Sequence, residues 1–325
     1  MQRKIIHFVG FVLIITISIG FLENPYTSSY VEQMKHASVT VSKHQDTLYD
    51  KIIARAEEYY IPAQNAEIDR VWKTTPGYNG LEVDIEESYK KMKEKGVFDE
   101  KLLVYRQVKP KIHLEDLPAE PIYRGNPEKP MVSFLINVAW GNEYIPAMLE
   151  TLNKYHVKAT FFLEGRWVKE NPEMAKMIVD AGHEVGNHSY THPDMSQLSP
   201  SSIREQLVKT NEIIKSVTDI TPTWFAPPSG SFKKEVVTIA DEMNMNTVLW
   251  SVDTIDWQRP EPHVLIDRVI SKVHNGALIL MHPTSSTSKS LETLILTIKQ
   301  KGYSFGSVSM MVNEERLVTI EQTDE

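Results

Sequence analysis

The chain has no cysteine. Disulfide staples and thiolate metal sites are thereby excluded together, so any metal has to rest on His, Asp or Glu. Eleven histidines are there to choose from. Positive charge is also scarce: 35 Lys and Arg stand against 43 Asp and Glu, giving a formal net charge of -8 and an isoelectric point near 5.8. No basic field would gather phosphate counterions, which excludes nucleic acid as a partner. A third lack is local. "VSFLINVAWGNEY", Val132 to Tyr144, reads as a buried strand ending in a Gly loop, a usual place for catalytic groups, yet the loop carries Val138, Ala139 and Trp140 in place of acids or histidines.

What is present suffices for a globular protein. At 325 residues and 41% hydrophobic, the chain can bury one core of ordinary size, or a larger one and a small one. Arg3 and Lys4 precede an apolar run from Ile5 to Phe21, so residues 1–27 read as a signal peptide or membrane anchor. No clean small-x-small cleavage site follows, which favours a retained anchor over a released protein; a buried N-terminal core helix is the alternative. The expected location is extracytoplasmic, secreted or tethered to the membrane through this segment.

Residues 28–125 read as a helical stalk followed by a small α+β region, with an amphipathic helix from Ile85 to Lys95 and a strand from Leu102 to Gln107. "LPAEPIYRGNPEKP", Leu117 to Pro130, reads as an extended linker and puts a domain boundary near residue 125. From Met131 onward, strand-like runs ("MVSFLINV", "ATFFLEG", "HEVGNHS", "TWFAPP", "TVLWSVD", "ALILMH", "YSFGSV") alternate with helical stretches. The helices fall near Tyr144–Tyr155, Trp167–Ala181, Ser201–Val217, Lys233–Met243, Pro262–His274 and Leu291–Lys301. That alternation implies a parallel sheet, open or closed into a barrel, over residues 126–315, with a tail at 316–325. The strand C-termini then form the working face.

Polar residues collect at those strand ends. In "GHEVGNHSYTH", His183 falls inside the strand, while His188 and His192 stand four apart, so one turn of helix would put both imidazoles on one face to share a metal. An incidental pair is the alternative, although Gly186 and Asn187 make a strand-to-turn break that favours the site. "VDTIDWQRP" and "LILMHP" place Asp256 beside His282, the arrangement a general acid requires, because a carboxylate fixes the imidazole tautomer and raises its pKa. Asp253 reads equally well as a helix cap. Trp257 and Leu280 are either core or the walls of a small pocket for a methyl-sized group.

The span from Met131 to about Asn313 resembles the polysaccharide deacetylase, or NodB homology, domain. The resemblance is carried by "TFFLEG", "GHEVGNHSYTHPD", "APPSG", "VDTIDW" and "LILMH" in the family's order. It implies a distorted (β/α) barrel that removes acetyl groups from sugar polymers through a zinc-type site of one Asp and two His. A second Asp serves as base, an Arg holds it, and a His protonates the leaving amine. Carried over, His188 and His192 match the metal histidines, His282 the acid and Asp256 its orienting carboxylate. Trp257 and Leu280 match the acetyl pocket, and the backbone around Pro228 and Ser229 the oxyanion donor.

The departures fall in one place. The family's "TFDDG" corresponds to "NVAWG" here, so Ala139 stands at the base position and Trp140 at a metal-ligand position; Ala226 stands where the Arg is expected. With no carboxylate to hold, a buried guanidinium would be an unpaired charge, so the losses make sense together. Loss of the base alone costs about 10²–10⁴-fold in rate. Asn142 or Glu143 could lend an oxygen only if the loop bent back. The reading is a degenerate family member acting at the cell wall on N-acetylated amino-sugar polymers, peptidoglycan or chitin-like. Turnover is expected to be impaired or lost, with a binding cleft retained and zinc or another divalent metal weakly bound or absent. The alternatives are an active metal-dependent deacetylase with an altered site and a non-catalytic wall scaffold.

Overall fold

The structure, a computed structural model, describes residues 47–317. The signal peptide or anchor expected over 1–27, the first part of the stalk and most of the tail lie outside them. Among the described residues no helix is long and apolar enough to cross a membrane.

The chain divides into two compact units, and not at residue 125. The first comprises the residues up to Glu58 together with Asp84–Val104. It holds helices α1 (Thr47–Ala56) and α2 (Ile85–Met92). The α2 helix starts where Asp84 accepts the Glu87 N–H at 3.0 Å, with acids in its first turn and Lys90 and Lys91 in its last. It stops at Met92, short of the expected Lys95.

The second unit takes Tyr59–Val83 and everything from Tyr105. Two small antiparallel ladders come first: β1 (Glu67–Asp69) with β2 (Lys73–Thr75), and β3 (Gly80–Val83) with β4 (Tyr105–Val108). The last of these lies later than the predicted Leu102–Gln107, because Asp99 caps a short helical turn at Glu100–Leu102. The Pro-rich segment is extended, as its composition says, but it is not a linker. Ile122 is buried, donates its N–H to Thr247 O at 2.9 Å and accepts from Leu249 N at 2.8 Å. Its partners lie more than a hundred residues away, which local sequence does not display.

The main sheet is parallel. It consists of β5 (Met131–Val138), β6 (Thr160–Leu163), β7 (Glu184–Asn187), β8 (Trp224–Phe225), β9 (Asn246–Thr247), β10 (Val252–Asp253), β11 (Ala277–Met281) and β12 (Ser304–Phe305). The order is β10-β11-β5-β6-β7-β8-β9, with β12 added to β5. The end strands β10 and β9 do not pair, so the sheet curls as a distorted, unclosed (β/α) barrel. Outside it run α3 (Ile145–Lys154), α4 (Gly165–Glu170), α5 (Pro172–Asp180), α6 (Pro200–Thr218), α7 (Lys234–Glu242), α8 (Pro262–Ile270), α9 (Ser285–Gln300) and α10 (Val308–Val312).

Two helices differ from the sequence expectation. Trp167–Ala181 is broken at Asn171, because Pro172 lacks the N–H that a continuous helix needs and fits a first-turn position. The α9 helix begins six residues before Leu291, capped by Thr284, which accepts the Thr287 N–H at 3.0 Å. Its first turns bury Ser286, Thr287 and Ser290, so they carry no apolar periodicity.

The β5 strand is buried along its whole length. Alternation sends Val132, Phe134, Ile136 and Val138 into the layer shared with the helices, and Met131 and Leu135 into a second cluster with Phe162, Trp224 and Leu278. Asn137 and Ala139 continue the second row to the strand's C-terminal end. There the row opens into a cleft.

Candidate functional site

The cleft encloses about 450 Å³ and is lined by residues from five strand ends. At the end of β5, Ala139 and Trp140 lead into Gly141, whose φ is +84° and where an added Cβ would lie 2.0 Å from Pro283 O; only glycine fits. Trp140 is 46% exposed and stacks on His282. Asn142 offers no substitute for the missing carboxylates. Its Oδ1 accepts from Trp167 Nε1 at 2.6 Å and its Nδ2 donates to Asn171 Oδ1 at 2.7 Å. Glu143 lines a neighbouring cavity with Arg259 and Lys289, not this one.

His188 and His192 do converge, but not on a helix. The β7 strand ends at Asn187, whose Oδ1 accepts the Ser189 N–H at 2.8 Å, and Ser189 and His192 both take left-handed φ, +61° and +55°. The tight loop sets the two rings 5.0 Å apart at 71°. Burial, and next the neighbouring His192, push His188 down to about 3, so it is neutral. Its Nδ1–H donates to Ala226 O at 2.7 Å, leaving the Nε2 lone pair free of protons. Burial also lowers His192. His183 lies one residue before β7, not within it. It does not line the cleft, and burial lowers it to about 4.

The opposite rim is built from β10 and β11, which pair Asp253 with Leu280. Asp256, fully buried, accepts three bonds: His282 Nδ1–H at 2.8 Å, His282 backbone N–H at 2.6 Å and Thr287 Oγ1–H at 2.5 Å. The carboxylate thereby fixes the tautomer and leaves His282 Nε2 as the ring's free nitrogen. Asp253, Trp257, Leu280 and Ser229 line the cleft. Asp253 also accepts the Ile255 N–H at 2.8 Å, so it closes its own loop as well. Pro228 and Ala226 are buried and do not line the cleft.

Three residues escape the sequence reading. Trp250, just past β9, is legible as an aromatic at a strand end. Asn137 follows from the alternation along β5. Thr287 carries no signal, since its role depends on Asp256, 31 positions away.

The donor set does not fit a three-ligand metal centre. Two imidazoles are present, but the loop that should complete them supplies a methyl group and an indole, neither with a lone pair to give. Among the described residues no group of three His, Cys, Asp or Glu could hold a metal ion.

A family model described as polysaccharide deacetylase matches residues 124–248. The Bacillus subtilis protein YlxY is 57% identical over 318 residues, covering 98% of this chain and 100% of its own. The crystal structure of a CE4 family pseudoenzyme from Bacillus anthracis is 58% identical, with a TM-score of 0.79, and covers 83% of this chain and 96% of that one. A mutant of that pseudoenzyme with restored enzymatic activity gives the same TM-score at 57% identity, covering 83% and 99%. The peptidoglycan-N-acetylmuramic acid deacetylase PdaA of Bacillus subtilis is 30% identical over 203 residues, 61% of this chain and 77% of its own.

Proposed function

The chain belongs to the polysaccharide deacetylase family, and on that premise we propose that it is a cell-wall member with impaired or lost turnover that binds N-acetylated amino-sugar polymer, peptidoglycan in particular, in its cleft. One observation carries the reading. The C-terminal end of β5 holds Ala139 and Trp140, so neither a proton acceptor nor a metal-binding carboxylate stands where the reaction starts. Without a base the rate falls by about 10²–10⁴-fold, before any loss through the metal. A zinc or other divalent ion held by His188 and His192 alone would be weakly bound or absent.

The remaining residues keep their binding roles. Trp257 and Leu280 provide apolar walls suited to an acetyl methyl, and Ser229 brings backbone to the same cavity. The names of relatives such as PdaA, a peptidoglycan deacetylase, support the wall polymer over a chitin-like one and an extracytoplasmic location. Residues 1–27 are proposed to deliver or tether the chain there, and the barrel domain over 126–315 to carry the cleft.

A second reading, an active hydrolase with an altered site, is favoured by the intact bonding of His282 to Asp256. The two are separated by metal analysis of the purified full chain together with acetate release from peptidoglycan fragments and chitooligosaccharides. No acetate, with retained binding to wall polymer, is expected. Stoichiometric zinc with measurable acetate overturns the proposal. Binding to wall polymer that persists when the cleft is blocked by substitution would make the protein a scaffold.

A further inference from the structure

We propose that Trp140 is a stacking platform for a pyranose ring, which makes the altered loop the part of the cleft that holds an amino-sugar ligand. The inference rests on the cleft-binding reading above and names the residue that determines it. The indole lines a cavity of about 450 Å³ with Trp250 and Trp257, yet it is 46% exposed. A large aromatic surface left in water at a pocket mouth marks a binding site. The C–H face of a pyranose carries slightly positive hydrogens that match the negative face of the indole.

The indole is also held in place before any ligand arrives. Gly141 follows it in a backbone conformation wedged against Pro283, and the His282 ring supports it from one side at 5.9 Å, nearly coplanar. His282 is itself fixed by two of the three bonds that Asp256 accepts. Such preorganisation lowers the ordering cost of binding. It also gives Asp256 and His282 a reason to persist in a site without its base: they are positioning residues for the indole.

A polar group waits beside this surface. Asn137 is 4% exposed and lines the same cavity, and its Oδ1 has no hydrogen-bond partner. Buried amide oxygens are nearly always satisfied, so this one calls for a donor. A ligand hydroxyl or acetamido N–H supplies it. Stacking surface and hydrogen-bond acceptor together fit an N-acetylated sugar that is gripped and left intact.

The test titrates the full chain with the N-acetylglucosamine tetramer and with peptidoglycan fragments, read by calorimetry and tryptophan fluorescence. The wild type binds with a change in fluorescence. Trp140→Ala weakens binding about tenfold or more and removes most of that change, whereas Trp140→Phe stays within about threefold, because an aromatic face is kept. Asn137→Ala weakens binding without removing the fluorescence change. Equal affinity of Trp140→Ala and wild type overturns this inference and leaves the cleft-binding reading intact. Absence of wild-type binding to either probe overturns both. Should circular dichroism show Trp140→Ala unfolded, Trp140→Leu replaces it, and equal affinity of the Phe and Leu variants overturns the stacking role.

Discussion

The indole of Trp140 lies parallel to the imidazole of His282, 5.9 Å apart between ring centroids and 6° between planes. His282 is bonded through Nδ1–H to Asp256, so the part of the site that changed and the part that did not are packed as one unit. Four predictions follow from this arrangement and from its surroundings.

Restoring the lost groups should restore metal binding. Ala139→Asp with Trp140→Asp, with Ala226→Arg to hold the base, is expected to give a full chain that binds zinc with higher affinity than wild type. Zinc titration with a competing chelator measures it, and acetate release should appear alongside. A restored chain that still binds no zinc would show that His188 and His192 are not a ligand pair. The mutant of the Bacillus anthracis relative with restored activity indicates that this fold tolerates such a reversal.

Asp256 should be a stability residue as well as a site residue. Asp256→Ala strands three donors in a buried place, each worth about 1–3 kcal/mol when left unsatisfied. A loss of at least about 3 kcal/mol in urea unfolding is expected. Thr287→Val removes one donor and one bond, and should cost only about 1 kcal/mol. Equal, small effects of both would contradict the buried network.

His183 should make the protein less stable in mild acid. It is lowered to about 4 from 6.5, so between those values the unfolded chain binds the proton and the folded chain does not. Stability is therefore full above 6.5 and falls as the pH drops toward 4, at a limiting slope of about 1.4 kcal/mol per pH unit. The ring nitrogen Nδ1 accepts the Ala159 N–H at 3.3 Å, a bond that protonation would break. Urea unfolding at pH 7 and pH 5 should show a smaller difference for His183→Gln than for wild type; an unchanged difference would assign the acid sensitivity elsewhere.

Gly141→Ala should disturb the loop without touching any polar group. Left-handed backbone costs a side-chain residue roughly 1–3 kcal/mol, and the Cβ meets Pro283 O at 2.0 Å. We expect a stability loss of about 2 kcal/mol or more together with weakened ligand binding, read by thermal unfolding and calorimetry. A variant as stable as wild type would mean that the loop has room to move.

Much of this was legible in the sequence wherever the signal was local. The strands from β5 to β11 announced themselves as short apolar runs, and the departures at Ala139, Trp140 and Ala226 could be read position by position. The His188 and His192 spacing suggested proximity, but a helix was the wrong cause: left-handed φ at Ser189 and His192 folds the loop instead, and neither residue type advertises that conformation. The segment around Ile122 looked like a linker because its pairing partners, Thr247 and Leu249, are remote in sequence. Thr287 stayed hidden for the same reason. Asn137 was within reach, since every second residue of β5 faces the same side and its place in that row needed only to be counted out to the cleft.

Pairing with β6, β11 and β12 leaves β5 enclosed on both flanks, and all of those bonds end at Val138. Whatever follows Val138 hangs from a beam that does not feel it. Selection could therefore trade two acids for a methyl and an indole at the rim without renegotiating the architecture beneath, and the same independence makes this loop a place where new binding properties could be installed by exchanging a few residues.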